Sequence, residues 1–173
     1  MPKLHIDFET KSELDVREVG AYRYAEDPST DVLMLNYALD HGDVKLWQPH
    51  IDGRDLPEDL IEWLADSDIL VEAHNAQFER AIWTRIMIPR YAALPIALRR
   101  LRCTAARAAA VGFPRSLEGA CIRALLPVEH LKDRRGTALI KRFCQPQKPT
   151  KADPRRWIGP EDDPDAWEDF CAY

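Results

Sequence analysis

The chain has 173 residues, 46% of them hydrophobic and 31% charged, which is the range of one soluble globular domain with a single core. Its net charge is only −5, and it has no run of 18 apolar residues and no leader-like N-terminus, so the sequence predicts a cytoplasmic protein without a membrane span. The four cysteines lack the spacing of a zinc site and are expected to be small buried thiols.

The first part of the chain predicts a sheet. Apolar and polar residues alternate over residues 3–10, which is the period of a strand with one face in a core. Two further apolar runs flank the turn sequence DHGD and predict a hairpin of residues 32–39 with a strand that starts at residue 44. The first three strands are therefore expected to be antiparallel neighbours.

Helices and one more strand follow. Residues 57–65 predict an amphipathic helix with Pro57 at its first position, and residues 68–75 predict a buried strand. Residues 76–87 have helical spacing, and Pro89 is expected to end that helix. The remaining segments predict helices over residues 103–111 and 116–126, a proline-rich loop over 141–165, and a helix over 165–173. This order indicates a mixed-sheet α/β fold.

Charge is segregated along the chain. Residues 1–79 carry 6 basic and 19 acidic residues, whereas residues 80–156 carry 18 basic and 4 acidic residues. Such an arrangement suits a metal-dependent nuclease, because carboxylates hold cations while a separate basic surface attracts a polyanion. The alternative is that charges segregated in sequence disperse over the folded surface.

Asp7 and Glu9 are the first candidate metal ligands. They lie two residues apart on the first predicted strand, so their carboxylates project from one face and repel each other unless a cation is present. Mg²⁺ or Mn²⁺ prefers such oxygen ligands, and two ions about 3.5–4 Å apart can stabilise both the attacking and the leaving oxygen of a phosphodiester. The alternative is a plain solvated strand face.

Several segments resemble a known family. DFET at residues 7–10 and AHNAQFE at residues 73–79 resemble the first two motifs of the DEDD exonuclease superfamily. Residues 19–33, 102–121 and 132–146 are similar to the N-terminal 3′-to-5′ exonuclease domain of phage-type family A DNA polymerases. The resemblance covers essentially the whole chain. It implies an RNase H-like fold in which three antiparallel strands are followed by parallel strands and flanked by helices.

The resemblance also implies roles for individual residues. Asp7 would bridge two metal ions, Glu9 would bind the ion that activates water, and Glu79, which stands where most of the superfamily has Asp, would bind the other ion. Asn75 and Phe78 would shape the pocket for the 3′ end, although Phe78 is equally consistent with a core contact. A structural role is expected for His74, and Thr104 is expected to cap a helix.

The third motif of the superfamily is incomplete in this sequence. Tyr173 resembles the tyrosine of a YxxxD motif, whose aspartate would lie four residues further on, and the alternative is a plain C-terminal aromatic residue. We therefore expect residues 1–173 to be a single exonuclease-like domain that is truncated before this motif is complete. The truncation is expected to impair catalysis.

The expected substrate is single-stranded DNA or a frayed primer 3′ end, with a polymerase domain in the full-length protein. Thr10 and basic side chains are predicted to contact the strand, and Tyr22, Tyr24 and Trp83 could stack on bases. The basic candidates are Arg80, Arg85, Arg99, Arg100, Arg102, Arg107, Lys141 and Arg142. The alternative function is a catalytically silent module that binds single-stranded DNA or docks on a polymerase.

Overall fold

The structure is a computed structural model that describes residues 1–126, 135–151, 154 and 156–172. These residues form a five-stranded mixed sheet with the strand order β3-β2-β1-β4-β5. The strands are β1 (Lys3–Lys11), β2 (Asp31–Leu39), β3 (Lys45–Trp47), β4 (Leu70–Ala73) and β5 (Leu101–Cys103). The first three strands are antiparallel, and β4 and β5 continue the sheet parallel to β1. The predicted mixed sheet, in which three antiparallel strands are followed by parallel strands, is thereby confirmed.

Strand β1 separates a core face from a polar face. Ile6 and Phe8 are buried, whereas Asp7 between them is exposed. Because side chains alternate along a strand, Glu9 projects from the same face as Asp7, as the sequence predicted. The pairing with β2 shifts register between Glu9 and Thr10, and such an irregularity changes the direction in which nearby side chains point.

Helices flank the sheet. They are α1 (Val16–Val19), α2 (Ala21–Glu26), α3 (Glu58–Ala65), α4 (Gln77–Ile82), a π-helical segment (Trp83–Met87), α5 (Ile88–Tyr91), α6 (Thr104–Ala110), α7 (Leu117–Arg123), α8 (Arg135–Phe143) and α9 (Pro164–Cys171), with a 3₁₀ turn (Leu98–Arg100) before β5. In the part of the chain that the structure describes, none of these helices is long and apolar enough to cross a membrane.

Helices α1, α2 and α8 were not predicted, and α5 lies beyond the predicted end of the helix that starts after β4. α1 and α2 are too short for apolar periodicity to reveal them, and α1 depends on the Asp15 carboxylate, which accepts a hydrogen bond from the Arg17 N–H at 2.8 Å. α8 continues to Phe143, so the loop predicted from residue 141 starts later than expected. Pro57 is the N-cap of α3 rather than its first helical residue.

The helix after β4 continues past its predicted end, because Pro89 lies inside α5. In a regular α-helix a proline removes one N–H donor, and its ring clashes with the carbonyl four residues earlier. Here a π-turn changes the pairing just before the proline, since the Ile88 N–H bonds the Trp83 carbonyl five residues back. The chain leaves the helix only at Ala92, which has a left-handed φ of 52°.

Two apolar clusters attach the helices to the sheet. The larger cluster joins the sheet to α2, α3, α4 and α5, with Ile82 among its fully buried members. The smaller cluster joins Met34 of β2 to Phe143, Trp167 and Phe170 of α8 and α9, whose ring centroids lie 5.0–5.7 Å apart. Burial of such a side chain contributes about 1.5–3 kcal/mol, so this cluster anchors the C-terminal helices on the sheet.

Candidate active site

Asp7 and Glu79 come together beside the turn that follows β4. Asp7 is exposed on β1, and Glu79 lies in the first turn of α4, where it is only 3% exposed. Burial is the largest cause that raises the pKa of Glu79 from its ordinary value of 4.5 to about 8. A hydrogen bond from its own backbone N–H lowers this pKa, whereas electrostatic interaction with Asp7, and then with Cys103, raises it further. The two carboxylates therefore act on each other electrostatically.

One oxygen of Glu79 is unsatisfied. Its Oε2 atom is buried and has no hydrogen-bond partner among the described residues. A buried acceptor in this state costs about 1–3 kcal/mol. A hard divalent cation would satisfy the oxygen, and carboxylates such as those of Glu79 and Asp7 are the ligands that Mg²⁺ and Mn²⁺ prefer. The donor set at this position therefore fits a cation.

The described residues do not form a complete metal centre by themselves. Within residues 1–126, 135–151, 154 and 156–172, no three His, Cys, Asp or Glu side chains are arranged as a group that could hold a metal ion. The metal set of Asp7, Glu9 and Glu79 thus stays a prediction.

Glu9 contacts the C-terminal part of the chain. The buried thiol of Cys144, directly after α8, donates a hydrogen bond to Glu9 Oε2 at 3.8 Å, and the Ser12 N–H donates to the Cys144 carbonyl at 3.2 Å. Burial first, and then the charge and the hydrogen bond of Glu9, raise the pKa of the Cys144 thiol, so this thiol is a protonated donor. α8 thus helps to fix Glu9, although the sequence gives no signal for this contact.

The turn between β4 and α4 has an uncommon backbone conformation. Asn75 has a left-handed φ of 65°, which asparagine adopts more readily than most residues. The two ring nitrogens of His74 contact the Thr104 hydroxyl and the Arg115 carbonyl, both at 2.9 Å, which agrees with the structural role predicted for His74. The capping role expected for Thr104 is wrong, because Cys103 is the N-cap of α6.

Several residues predicted to contact nucleic acid face the protein instead. Thr10 is 5% exposed, and its hydroxyl hydrogen-bonds the Tyr24 hydroxyl at 2.9 Å. Phe78 is half-buried, and its ring centroid lies 6.0 Å from that of Tyr24. Tyr24 is buried, and so is Trp83, whose indole N–H donates to the Leu94 carbonyl at 2.9 Å. The stacking role suggested for Tyr24 and Trp83 is therefore wrong in this structure, and the Thr10 hydroxyl is not accessible.

Arg100 is also part of the core. It is 7% exposed, and its guanidinium donates to the carbonyls of Ile69 and Leu64 at 2.7 Å and of Trp63 at 3.3 Å. These bonds connect the 3₁₀ turn before β5 to α3 and to the start of β4. The prediction that Arg100 contacts phosphate is wrong, because its donors are already used within the fold.

The other arginine candidates differ in whether they form an ion pair with an acidic side chain. Three arginines form ion pairs with acids, namely Arg85 with Glu26, Arg107 with Glu72 and Arg142 with Asp163. Arg80, Arg99 and Arg102 form no ion pair with any described residue, and Arg80 and Arg99 are exposed. These three remain the strongest candidates for contacts with phosphate groups.

The third motif cannot be placed. Tyr173 lies outside the described residues. Of the acids before it, Asp163 caps α9 by accepting from the Ala166 N–H at 3.3 Å and pairs with Arg142, and Asp169 is exposed.

Fold and site together define a mixed-sheet α/β domain with a buried carboxylate beside an exposed one. The sequence is 37% identical, over the whole chain, to the DNA polymerase of Bacillus phage SP02, and the chain spans about a quarter (26%) of that protein. This identity confirms the predicted resemblance to a phage DNA polymerase. A solved structure, Brucella melitensis NrnC with bound Mg²⁺, is similar with a TM-score of 0.49 and 17% identity, over 76% of this chain and 56% of that one. No protein-family model matches the sequence.

Proposed function

We propose that the chain is a metal-dependent 3′-to-5′ exonuclease domain that hydrolyses terminal phosphodiesters of single-stranded DNA and proofreads for a polymerase domain. The observation that carries the proposal is the buried Glu79 oxygen, which has no hydrogen-bond partner among the described residues and lies beside the charge of Asp7. A buried acid with a raised pKa and a charged neighbour marks a candidate functional site. The identity with a phage DNA polymerase supports DNA as the substrate.

In this proposal Asp7 and Glu79 would hold the cation, and Glu9 would join them. A bound Mg²⁺ or Mn²⁺ ion would lower the pKa of a water molecule and stabilise the negative charge of the leaving oxygen. Cys144 restrains Glu9 through its thiol hydrogen bond. The exposed guanidinium groups of Arg80 and Arg99 would attract the phosphates of the strand.

The test is cleavage of a single-stranded oligonucleotide labelled at its 5′ end, with Mn²⁺, with Mg²⁺ or with a chelator. We expect a ladder that shortens from the 3′ end and releases nucleoside monophosphates only when a cation is present. Asp7→Ala and Glu79→Gln should abolish the ladder. The matched control is Glu62→Gln, which changes an exposed glutamate of α3 and should cleave like the unmodified chain.

The outcome also separates the proposal from its rival. If the chain binds the oligonucleotide equally tightly with and without a cation and never shortens it, the chain is a silent binding or docking module. Products that shorten from the 5′ end, or cleavage that survives both Asp7→Ala and Glu79→Gln, would refute the proposed site.

A further inference from the structure

His74 connects the turn after β4 to two exposed helices. Residues 74–76 form this β4–α4 turn, and Glu79 follows it in the first turn of α4. The Nδ1 atom of His74 lies 2.9 Å from the hydroxyl of Thr104, the first residue of α6. Its Nε2 atom lies 2.9 Å from the carbonyl of Arg115, just before α7. One side chain thus joins the turn to segments 30 and 41 positions further along the chain.

The two partners define which ring nitrogen of His74 carries the proton. A carbonyl only accepts hydrogen bonds, so Nε2 donates to the Arg115 carbonyl. In the neutral ring Nδ1 is then the acceptor, and the Thr104 hydroxyl donates to it. That hydroxyl also lies 3.4 Å from the Ala73 carbonyl, but its single proton serves the shorter contact. Because both nitrogens are used in defined directions, the ring is held in one orientation.

The helices that His74 contacts bury little of their own surface. We call residues 104–123 the α6–α7 hairpin, which follows the edge strand β5. Ala105 is the buried residue of α6, and none of residues 117–123, all of which the structure describes, is buried in α7. Helices of seven residues are marginal without tertiary packing. The hydrogen bond from His74 to Arg115 therefore anchors the start of α7 on the β4–α4 turn.

The β4–α4 turn in its own way sets the position of Glu79. The Asn75 carbonyl accepts a hydrogen bond from the Phe78 N–H at 2.9 Å, so the direction of the turn determines how α4 begins. Asn75 has a left-handed φ of 65°. A residue other than glycine keeps such a conformation only where the surrounding structure determines it. The two hydrogen bonds of the adjacent His74 ring supply such a restraint.

We propose that His74 is a positioning residue for the proposed reaction, because it clamps the β4–α4 turn to the α6–α7 hairpin and so holds Glu79 beside Asp7. His74 acts through the turn and contacts neither strand nor cation. The inference rests on the proposed function, since the position of Glu79 affects cleavage only if the two acids hold the cation. It also makes turnover depend on the order of the exposed hairpin.

Limited digestion with trypsin tests the clamp without using the proposed activity. The carbonyl that accepts from His74 belongs to the bond between Arg115 and Ser116, and trypsin cuts after arginine. His74→Phe keeps a ring and removes both nitrogens, so it should speed cleavage after Arg115 about 3- to 10-fold in chelator, as expected for the loss of one hydrogen bond. Cleavage after the exposed Arg54 is the internal reference, because it accelerates only if the whole domain loosens.

The amide nitrogen of a glutamine can take the place of Nε2 as donor. His74→Gln should therefore be cut after Arg115 at the rate of the unmodified chain, within about twofold. His50→Phe is the matched control, since His50 is an exposed histidine in the turn after β3. It should change neither digestion nor turnover.

Cleavage kinetics in Mn²⁺ test the consequence for the site. His74→Phe should lower kcat about 10- to 100-fold, because a small displacement of Glu79 misplaces a reacting group. KM for the oligonucleotide should change less than about threefold, since the exposed contacts with the strand are retained. His74→Gln should recover most of the lost kcat. Thr104→Val removes the donor to Nδ1, should lower kcat in the same direction, and decides the test if His74→Phe does not fold.

Three results would overturn the inference. The first is equal cleavage after Arg115 in His74→Phe and in the unmodified chain. The second is faster cleavage after Arg54 that matches the change after Arg115, because a general loss of stability would then explain both. The third is selective cleavage after Arg115 with unchanged kcat, which would show that His74 holds the hairpin but does not position Glu79. Selective cleavage after Arg115, together with no DNA cleavage by the unmodified chain, would refute the proposed exonuclease activity while confirming the clamp.

Discussion

Replacing Glu79 with Gln should stabilise the fold at high pH, because it removes the cost of a buried charge. The substitution keeps the shape of the side chain and removes its ionisation. Glu79 is 3% exposed, and its pKa is raised from 4.5 to about 8, chiefly by burial. The folded state therefore binds the proton more tightly than the unfolded state does.

The sign and size of the effect follow from proton linkage. Below the unfolded pKa of 4.5 the carboxyl group is protonated in both states, so its contribution to stability is fully present. As pH rises through the folded pKa of about 8, that contribution is lost. At about 1.36 kcal/mol per pH unit, the loss between about pH 5 and pH 9 is on the order of 4 kcal/mol.

The assay is thermal unfolding of the unmodified chain and of Glu79→Gln across this pH range in chelator. For a chain of this size, about 4 kcal/mol corresponds to a divergence of roughly 8–16 °C in melting temperature, with the variant more stable at the alkaline end. Glu62→Gln, at an exposed site, should follow the unmodified chain. Melting curves of Glu79→Gln and the unmodified chain that shift in parallel with pH would refute the argument.

Other variants test separate parts of the structure. Arg100→Met should lower the free energy of unfolding by about 3–5 kcal/mol in denaturant titrations, because three carbonyls lose a charged donor. Arg99→Met, at the exposed neighbour, should change it by less than about 0.5 kcal/mol. Equal losses would contradict the buried role of Arg100. Cys144→Ala should weaken Mn²⁺ binding by calorimetry about 3- to 10-fold, because Glu9 loses its donor, and Cys144→Ser should retain it. If Cys144→Ala binds Mn²⁺ as tightly as Cys144→Ser and the unmodified chain, the thiol does not position Glu9.

The sequence predicted the elements that local patterns control. Alternation marked β1 and placed Asp7 and Glu9 on one face, and the Gly-containing turn marked the β2–β3 hairpin. The prediction that the helix ends at Pro89 was wrong, because the effect of a proline depends on the backbone before it. Here a π-turn precedes Pro89, and the Ile88 N–H bonds the Trp83 carbonyl five residues back. Periodicity carries no information about such a change.

The candidate site was only partly predictable for a related reason. The resemblance to the exonuclease motifs made Asp7 and Glu79 candidates, and they stay a prediction. A count of arginines cannot show that Arg100 is buried against carbonyls while the adjacent Arg99 is exposed. The contact of Cys144 with Glu9 joins residues 135 positions apart, so it depends on the packing of the C-terminal helices. Contacts at such separation follow from tertiary structure and leave no local pattern.

The most direct test of the metal-site account is the position of Mn²⁺ in crystals of the chain soaked at about pH 8, where the cation must compete with the proton on Glu79. The account predicts an anomalous difference peak bounded by the carboxylates of Asp7 and Glu79, which disappears in Asp7→Asn. A chain that binds Mn²⁺ only at other positions, or a peak that persists unchanged in Asp7→Asn, would contradict it.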